Sequence, residues 1–348
     1  MSTNGVPIPP ERARASLEIA NVLTPDKRVV LTTHVNADGD GVGSEIGLWH
    51  LLKARGVTAT IANPTGIPER FDFLLPEGDG VDASDRAVRE IERADVIVVL
   101  DIGDLGRLGD LGHAVRQRAA PTVCIDHHVS PGSLPPGPRL VAPEATATAE
   151  LVFDLASALG WPLNRESARA LYVGILTDTG GFRFSNTSAR ALRVAAALLE
   201  RGVDPEGIYE SVYASAPEGR VRLTAEVLHT LVVEPEVGLA WVTVPPDALD
   251  RHDATPDDLD GIVEFPRSIA GVRLALLFRQ IANGRIKVSF RSMGAVDVAD
   301  LAHQFGGGGH KKAAGASFEG SMAEVEAKVL AASREYLRTH GERRAVKR

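Results

Sequence analysis

The sequence predicts an α/β protein with a parallel sheet and helices on both faces, followed by a second, smaller α/β domain. Three observations carry this prediction. Continuous apolar runs of strand length recur at residues 29–33, 95–101 and 122–126, as in strands buried on both faces of a parallel sheet. Segments with helical spacing separate these runs. The length of 348 residues exceeds what one hydrophobic core usually supports, so two domains are expected.

The first apolar run leads into a glycine-rich loop that carries polar side chains. The loop reads HVNADGDGVGS, so His34, Asp38 and Asp40 follow a buried strand directly. In open parallel sheets, ligands bind in the crevice beyond the carboxyl ends of the strands. One imidazole and two carboxylates suit Mn²⁺, Mg²⁺ or Zn²⁺. The alternative is a polar loop with a helix N-cap, and further ligands at the same edge would decide between the two interpretations.

Around this loop the pattern predicts regular structure in alternation. A first helix is expected at 15–23, after an irregular amino-terminal segment. A helix follows the loop, a second strand is expected at 58–62, and another helix at 83–94. The run 95–101 ends in Asp101, an isolated acid that could equally be a turn residue.

The third buried run ends in an acid and two adjacent histidines. Asp126, His127 and His128 would destabilise the end of a buried strand unless they have partners. Because successive side chains diverge, we expect one histidine to point at a metal and the other at substrate or at a supporting group. Cys124 lies inside the strand and is expected in the core. As the single cysteine it excludes an intramolecular disulfide and fits a reducing cytoplasm.

A helix predicted at 166–177 delivers Asp178 just before a glycine pair. The alternative is a helix that ends at glycine, which needs no carboxylate. The segment 182–185 (FRFS) alternates aromatic and polar residues, which could line a nucleotide site or begin an edge strand. An alanine-rich helix is expected at 189–199, and residues 196–221 are expected to form a helical connector between the domains.

The second domain is expected over residues 222–340. Its predicted strands lie at 239–244, 273–279 and 287–291, and its final helix at 322–337.

Near the end of this domain stand four consecutive glycines, residues 306–309, in the segment FGGGGHKKAAG. Glycine loses the most backbone entropy on folding, so an ordered run of four needs a reason. The usual reason is close approach of backbone amides to an anion, in a nest or at a helix N-terminus. His310, Lys311 and Lys312 add donors and charge. A flexible linker would be expected to carry serine, so the segment favours an anion site.

Composition and charge exclude several classes of protein. The chain is 44% hydrophobic and 24% charged, with a net charge of −8. An acidic chain is a poor general binder of long nucleic acid, because attraction to phosphate needs clustered Lys and Arg. No apolar stretch approaches membrane-spanning length, and the amino terminus lacks the layout of a signal peptide. We therefore expect a cytoplasmic protein with no membrane partner.

The chain resembles the DHH–DHHA1 phosphoesterase family. The resemblance lies in an ordered set of motifs, namely HVNADGD, an acid at a strand end, IDHH, TDTGGF and GGGGHKKAAG. Within this family the chain is similar to the stand-alone oligoribonuclease branch (nanoRNase, often also a 3′-phosphoadenosine-5′-phosphate phosphatase). Such proteins in actinobacteria also act on cyclic di-AMP and its linear product. The resemblance covers about residues 15–340 and departs from the family at Ala37, commonly a proline. It implies a catalytic DHH domain at 15–195 and, across a cleft, a DHHA1 substrate-binding domain at 222–340.

The resemblance also implies the members of the site. Two divalent ions are implied, most often Mn²⁺, with Mg²⁺ or Co²⁺ as alternatives. The implied ligands are His34 and Asp38 for one ion and Asp40, His127 and Asp178 for the other, with Asp101 bridging both. Asp126 would orient His127 and His128 would face the phosphate, so Asp101, Asp126 and His128 are the implied catalytic residues. A second phosphate or base would be bound by Arg291, Ser292, Gly306, Gly307, Gly308, Gly309 and His310.

The implied function is a two-metal phosphodiesterase that hydrolyses short RNA and linear dinucleotides such as pApA to nucleoside 5′-monophosphates. Cyclic di-AMP and the 3′-phosphate of phosphoadenosine phosphate are further candidate substrates, and the order of preference stays open. Similar proteins often form homodimers. A non-catalytic nucleotide sensor on the same fold is one alternative, but it has no need of six converging metal-type residues. A dinucleotide-binding oxidoreductase is another, but Asp38 and Asp40 would place negative charge where its pyrophosphate lies.

Overall fold

The protein was analysed as a computed structural model that describes residues 5–76, 81–128, 136–281 and 284–340. The chain divides into two compact units, Met1–Ser215 and Ala216–Arg348. Each unit has its own sheet and its own hydrophobic cores. Among the described residues, no helix combines the length and the apolar character needed to cross a membrane.

The first unit is built on a parallel sheet with the order β2-β1-β3-β4-β5 in its described residues. The strands are β1 (Arg28–Thr32), β2 (Thr58–Ile61), β3 (Val96–Leu100), β4 (Thr122–Asp126) and β5 (Arg139–Val141). The predicted parallel sheet is confirmed, and β5 is an edge strand that the sequence pattern did not reveal. Helices cover both faces, since Val29 and Leu31 of β1 enter one core while Val30 enters another.

The helices of the first unit alternate with these strands and then follow them. They are α1 (Pro10–Ala20), α2 (Gly39–Ala54), α3 (Ala87–Arg93), α4 (Leu111–Gln117), α5 (Thr148–Ala158), α6 (Arg165–Asp178), α7 (Ala189–Leu199) and α8 (Pro205–Tyr213), with 3₁₀ turns at Glu69–Leu74, Ser84–Arg86 and Leu105–Leu108. The expectation of an irregular segment up to residue 15 was wrong, because α1 begins at Pro10. Proline suits the first helical position, where its fixed φ is helical and its missing N–H is not needed.

Helix α5 was not predicted from the sequence. All of its residues from Thr148 to Ser157 are buried, including the acids Glu150 and Asp154, which both pair with Arg12. Its polar side therefore faces buried ion-pair partners and not solvent, which the sequence pattern of α5 does not reveal. It packs against α2 and α6, where it supports the carboxyl edge of the sheet.

The second unit contains a mixed sheet with the order β10-β11-β9-β8-β7-β6 in its described residues. Only β7 and β8 are parallel, and the other neighbours are antiparallel. The strands are β6 (Val232–Glu234), β7 (Leu239–Thr243), β8 (Leu274–Gln280), β9 (Ile286–Ser292), β10 (Gly308–His310) and β11 (Ala313–Phe318). The helices are α9 (Glu218–His229), α10 (Ala248–Arg251), α11 (Glu264–Arg267), α12 (Val298–His303) and α13 (Met322–His340), with a 3₁₀ turn at Pro256–Leu259.

Both faces of this second sheet are also covered. Leu274 and Leu276 of β8 enter a core with α12 and α13, while Ala275 and Leu277 enter a second core with α9 and α10. The second unit is therefore a three-layered α/β structure, as expected.

The glycine run takes a conformation that differs from the expected nest or helix N-terminus. Part of it forms the edge strand β10, which pairs with β11 in a hairpin. A Cβ atom at Gly309 would lie 2.6 Å from the carbonyl oxygen of Ala313, and Gly309 has a φ of +142°. A Cβ atom at Gly307 would collide with the carbonyl oxygen of Gly315. Glycine is required at these two positions because β11 approaches so closely.

Candidate metal centre

The polar side chains singled out in the sequence meet at the carboxyl edge of the five-stranded sheet. His34 lies two residues beyond β1, Asp101 directly follows β3, and His127 directly follows β4. Since β3 lies between β1 and β4, Asp101 comes between the two histidines. Asp38 at the N-cap of α2 and Asp178 at the last residue of α6 complete the edge. Residues far apart in the chain converge because parallel strands end at the same edge.

Asp101 occupies the centre of this cluster and directs its two carboxylate oxygens to different neighbours. Its Oδ2 lies 3.5 Å from Nε2 of His34. Its Oδ1 lies 3.5 Å from Nε2 of His127 and 3.5 Å from Nδ1 of His128. The side chain is buried, and the backbone φ of +58° is one that few residues other than Gly, Asn and Asp adopt. One buried carboxylate therefore faces ligand-type groups on both sides.

The first of these groups consists of His34, Asp38 and Asp101, whose ligand atoms lie close enough to hold a metal ion. Nδ1 of His34 lies 3.0 Å from the carbonyl oxygen of Val35, so Nε2 is turned toward the carboxylates. This Nε2 is buried, lies 3.8 Å from Oδ1 of Asp38 and has no hydrogen-bond partner among the described residues. A buried nitrogen without a partner costs free energy, and a cation between the three side chains would remove that cost.

The second group consists of Asp40, His127 and Asp178. Nε2 of His127 lies 3.7 Å from Oδ2 of Asp40 and 3.9 Å from Oδ2 of Asp178. These separations are too long for hydrogen bonds. They match the spacing of about 3–4 Å between two ligand atoms that each lie about 2.1 Å from one ion. The donor atoms and their spacing thus fit a divalent metal in both groups, and Asp101, His127 and His128 form a third such combination.

Asp40 is held in place by the N-terminus of α5. Its buried carboxylate accepts hydrogen bonds from the backbone N–H groups of Thr148, at 2.6 Å, and Ala149, at 2.9 Å. The N-cap residue of α5, Ala147, has no side chain that could cap these groups. The hydroxyl of Thr148 donates to Oδ1 of Asp101 at 2.9 Å. The start of α5 therefore orients a carboxylate from each of the two ligand groups.

Small residues allow the helices that carry Asp40 and Asp178 to approach each other. A Cβ atom at Gly43 of α2 would collide with the carbonyl oxygen of Ala170 of α6. A Cβ atom at Gly174 of α6 would lie 2.9 Å from Oδ1 of Asp40. Glycine at these positions is needed for the close packing of α2 on α6, which sets the distance between the two carboxylates.

The carboxylates and histidines shift one another's proton affinity. Burial lowers the pKa of His34 and His127, but neighbouring carboxylates, Asp101 first among them, outweigh burial and raise each pKa to about 10. Burial raises the pKa of Asp101, but the two histidines outweigh it and hold that pKa well below its usual range. Burial and the charge of Asp101 raise the pKa of Asp40 well above its usual value, and burial raises the pKa of Asp178 to about 6. In the absence of metal, the cluster therefore balances its negative charge by retaining protons.

Asp126 supports a different histidine from the one expected. Its Oδ1 accepts from the backbone N–H of His128 at 3.1 Å and lies 2.8 Å from Nδ1 of the same residue. Nδ1 of His127 lies instead 3.4 Å from the carbonyl oxygen of Ala145. Because Asp126 and His128 are two residues apart at the end of a strand, their side chains point to the same face. The expectation that Asp126 orients His127 is corrected accordingly.

The residues expected to bind a second phosphate or base lie in the second unit. Arg291 is partly buried, with Nη1 donating to the carbonyl oxygen of Phe290 at 3.1 Å and Nε 3.4 Å from Oε1 of Glu264. Ser292 is buried, and its hydroxyl donates to the carbonyl oxygen of Val296 at 2.8 Å. In this structure the side chain of Ser292 therefore fastens the loop before α12 and does not face solvent.

In the same sheet, β11 lies between β9, which carries Arg291 and Ser292, and the part of the glycine run that forms β10. Gly306 has a φ of +71° and turns the chain after α12. Gly308 pairs with Gly315, and a Cβ atom added at Gly308 would meet nothing nearer than Nε2 of His303, at 3.6 Å. The backbone of His310 belongs to β10, while its side chain lies outside the described part of the structure.

Two residues of the cluster were not singled out in the sequence. Thr148 contacts Asp101, and the side-chain amide of Asn186 donates to Oδ2 of Asp178 at 3.1 Å. Thr148 stands in the repeat ATAT ahead of an apolar run, where nothing distinguishes its hydroxyl from that of Thr146. No spacing in the sequence relates it to Asp101, because the contact forms only through the packing of α5.

Sequence profiles of two protein families match this chain. The profile described as the DHH family, N-terminal domain, matches residues 28–175, and the profile of the DHHA1 domain matches residues 237–339. The first match contains most of the residues of the cluster, and the second contains Arg291 and the glycine run.

Individual proteins match over nearly the whole length. The bifunctional oligoribonuclease and PAP phosphatase NrnA of Thermus thermophilus is 35% identical over 321 residues, which span 90% of this chain and 91% of that protein. An exopolyphosphatase-related protein from Bacteroides fragilis is 30% identical with a TM-score of 0.88, covering 94% of this chain and 98% of that one. Exonuclease RecJ, solved with bound manganese, shares the fold with a TM-score of 0.56 at 18% identity, over 96% of both chains.

Proposed function

Since the chain belongs to the DHH–DHHA1 family of metal-dependent phosphoesterases, we propose that it hydrolyses short oligoribonucleotides and linear dinucleotides to nucleoside 5′-monophosphates. The single observation that carries this proposal is the position of Asp101, with one carboxylate oxygen near each of two ligand groups. Cyclic di-AMP and the 3′-phosphate of phosphoadenosine phosphate are further substrates under the same proposal.

The proposed assignment of residues follows the two ligand groups. His34 and Asp38 would hold one ion, Asp40, His127 and Asp178 would hold the other, and Asp101 would contact both. Imidazole together with carboxylate favours Mn²⁺ over Mg²⁺. Two such ions would supply positive charge that lowers the pKa of water and stabilises charge on a phosphoryl group.

The remaining side chains position these groups and handle protons. The hydroxyl of Thr148 fixes the orientation of Asp101. Asp126 holds His128 through Nδ1, so Nε2 of His128 is the nitrogen that would reach a phosphoryl oxygen of the substrate. An imidazole held in this way can stabilise charge on that oxygen or deliver a proton to the leaving group.

Two observations and one proposed assignment support a short nucleotide as the substrate. A relative 35% identical to this chain is named an oligoribonuclease and PAP phosphatase. The net charge of −8 opposes the binding of long polyanions. In the second unit, Arg291 and the glycine hairpin would bind a second phosphate or base, with His310 as a further donor, and this small set of groups suits a substrate of a few nucleotides.

Turnover of a matched panel of substrates tests this proposal. The purified protein is treated with a chelator, then supplied with Mn²⁺, and offered pApA, a short RNA, phosphoadenosine phosphate and cyclic di-AMP. We expect Mn²⁺-dependent release of nucleoside monophosphates from at least the linear dinucleotide. Tight binding of these compounds without hydrolysis would instead favour the nucleotide sensor and contradict the proposal.

A further inference from the structure

The segment that follows Asp178 is a tightly bonded loop. The backbone N–H groups of Arg183 and Phe184 both donate to the carbonyl oxygen of Thr179, at 3.0 and 2.9 Å. The hydroxyl of Thr179 accepts from the backbone N–H of Phe182 at 3.0 Å. These bonds define the backbone conformation of the loop and thereby the directions in which its side chains leave the backbone.

The two phenylalanines of the loop differ in their burial and contacts. Phe182 packs against the main core, with its ring centroid 6.1 Å from that of Tyr172. Phe184 is 49% exposed. Its ring covers Gly180, where a Cβ atom would collide with the ring and where φ is +57°. The ring of Phe184 is therefore supported by backbone on one side and open to solvent on the other.

The loop is also fastened directly to the candidate metal centre. The side-chain amide of Asn186 donates to both Oδ2 and the carbonyl oxygen of Asp178, at 3.1 Å each. Gly180, on which the ring of Phe184 rests, lies two residues from the same aspartate. Arg183 is exposed on this loop, and its Nε donates to the carbonyl oxygen of Gly180 at 2.6 Å. An aromatic face and a cation are thus held at fixed places beside a proposed metal ligand.

We propose that the exposed ring of Phe184 is the platform on which a nucleobase of the substrate stacks. A single exposed apolar residue is common on protein surfaces. This one differs because its position is fixed by the loop and tied to Asp178, where the phosphate of a substrate would be cleaved. Every nucleobase has a π face that can stack on such a ring, and purines present a larger face than pyrimidines. The inference rests on the proposed function and specifies how one base of its substrate is bound.

A double-mutant cycle between the ring and the base tests the proposal. The enzyme is wild type, Phe184→Ala, Phe184→Leu or Phe184→Trp, and the substrate is pApA or one of two counterparts that lack either the 5′ or the 3′ adenine. Loss of one stacking interaction should lower kcat/KM by about 5- to 150-fold. We expect that loss for Phe184→Ala and Phe184→Leu on pApA and near wild-type activity for Phe184→Trp. On one of the two abasic substrates, all four enzymes should be equal.

Controls separate stacking from damage to the loop. Phe184→Leu keeps an apolar group over Gly180, and Mn²⁺ affinity together with the melting temperature reports whether the metal centre is intact. Leu192→Ala, at a similarly exposed apolar residue of α7, should change nothing. Wild-type activity of Phe184→Leu on pApA, or an equal loss on pApA and on both abasic substrates, would overturn the stacking proposal alone. Failure of the wild-type enzyme to hydrolyse any of the three substrates would overturn the proposed function as well.

Discussion

The orientation of a single carboxylate decides what the candidate centre can do. Asp101 is buried and accepts a hydrogen bond from the hydroxyl of Thr148. It lies between His34 and His127, each of which is near a different one of its two carboxylate oxygens. A buried carboxylate in this position can neutralise two cations at once. An isolated acid at a strand end without such neighbours would only turn the chain.

We predict that Asp101→Asn folds normally and loses several orders of magnitude in kcat. Asparagine tolerates the left-handed backbone conformation at this position, while loss of the charge removes the group that would contact both ions. Circular dichroism, Mn²⁺ content and turnover measure the three properties. Asp110→Asn, at an exposed acid whose side chain caps no helix, serves as the matched control. Near-normal turnover by a folded Asp101→Asn protein would contradict the two-metal assignment.

Thr148 provides a second prediction at this scale. Thr148→Val keeps the shape of the side chain and the backbone N–H that donates to Asp40, but it removes the hydroxyl that donates to Asp101. Loss of a group that orients a metal ligand typically lowers metal affinity or activity by about 10–100-fold. We expect a loss of this size in a Mn²⁺ titration, and little change for Thr148→Ser, which keeps the hydroxyl. Equal affinities for the two variants would show that the hydroxyl does not position Asp101.

Glu45 makes the stability of the metal-free protein depend on pH. It is fully buried on α2, where Oε2 accepts from the side-chain amide of Asn63 at 2.9 Å and Oε1 has no partner among the described residues. Burial raises its pKa from 4.5 to about 8. Between those two pH values the unfolded chain releases a proton that the folded protein retains. Its contribution to stability is therefore complete below pH 4.5 and is lost as the pH rises to about 8.

Glu45→Gln should remove this dependence, because glutamine does not ionise. Relative to wild type, the variant should gain a few kcal/mol in the free energy of unfolding between pH 5 and pH 8. Urea unfolding of the chelator-treated proteins at both pH values measures the difference, with Glu18→Gln at an exposed position of α1 as the control. An unchanged difference between the two pH values would mean that Glu45 is already ionised in the folded state.

At the scale of secondary-structure elements, the β10–β11 hairpin contains glycines that the fold requires and one, Gly308, that has space beside it. Gly309 lies in a conformation that favours glycine, and a Cβ atom there would press on Ala313. Gly308 has room for a methyl group. The two neighbours therefore give a matched pair of variants on one strand.

We predict that Gly309→Ala destabilises the second unit, by about 1–3 kcal/mol for the strained backbone and more for the contact with Ala313. Gly308→Ala should leave the melting temperature unchanged. If the hairpin binds a distal phosphate, Gly308→Ala should lower kcat/KM on dinucleotides much more than on bis-p-nitrophenyl phosphate, a small diester with no second phosphate. An equal loss on both substrates would show that the hairpin does not bind substrate.

At the scale of the whole molecule, the net charge bears on the length of the proposed substrate. The net charge of −8 repels polyanions, and binding along a single strand requires a continuous basic groove. Under the proposed function, attraction for the substrate would come from metal ions and from local groups such as Arg183 and Arg291.

We predict that oligoribonucleotides of about two to five residues are cut much faster per molecule than long single strands. The measurement compares kcat/KM for one repeating sequence at several lengths, at constant salt and Mn²⁺ concentrations. A rate that does not fall with length would require a nucleic-acid groove and contradict the short-substrate assignment.

The sequence by itself determined the parallel sheet and the residues that meet at its edge. Buried parallel strands appear as continuous apolar runs, and the polar residues that follow β1, β3 and β4 must lie together because the strands all end at one edge. His34, Asp101 and His127 could therefore be placed side by side from their positions after these runs. The helices with clear patterns, such as α6 and α7, were also predictable within a residue at each end.

Only the tertiary structure decided how these groups are oriented. Asp40 is held by Thr148, which lies 108 residues later in the chain. The acids of α5 pair with the buried Arg12 and do not face solvent, so the usual pattern of a surface helix did not reveal this element. Asp126 supports His128 and not His127, and the glycine run forms a strand because β11 packs against it. Local patterns report which residues are buried and which end a strand. They carry no information about contacts that depend on how separate elements pack together in space.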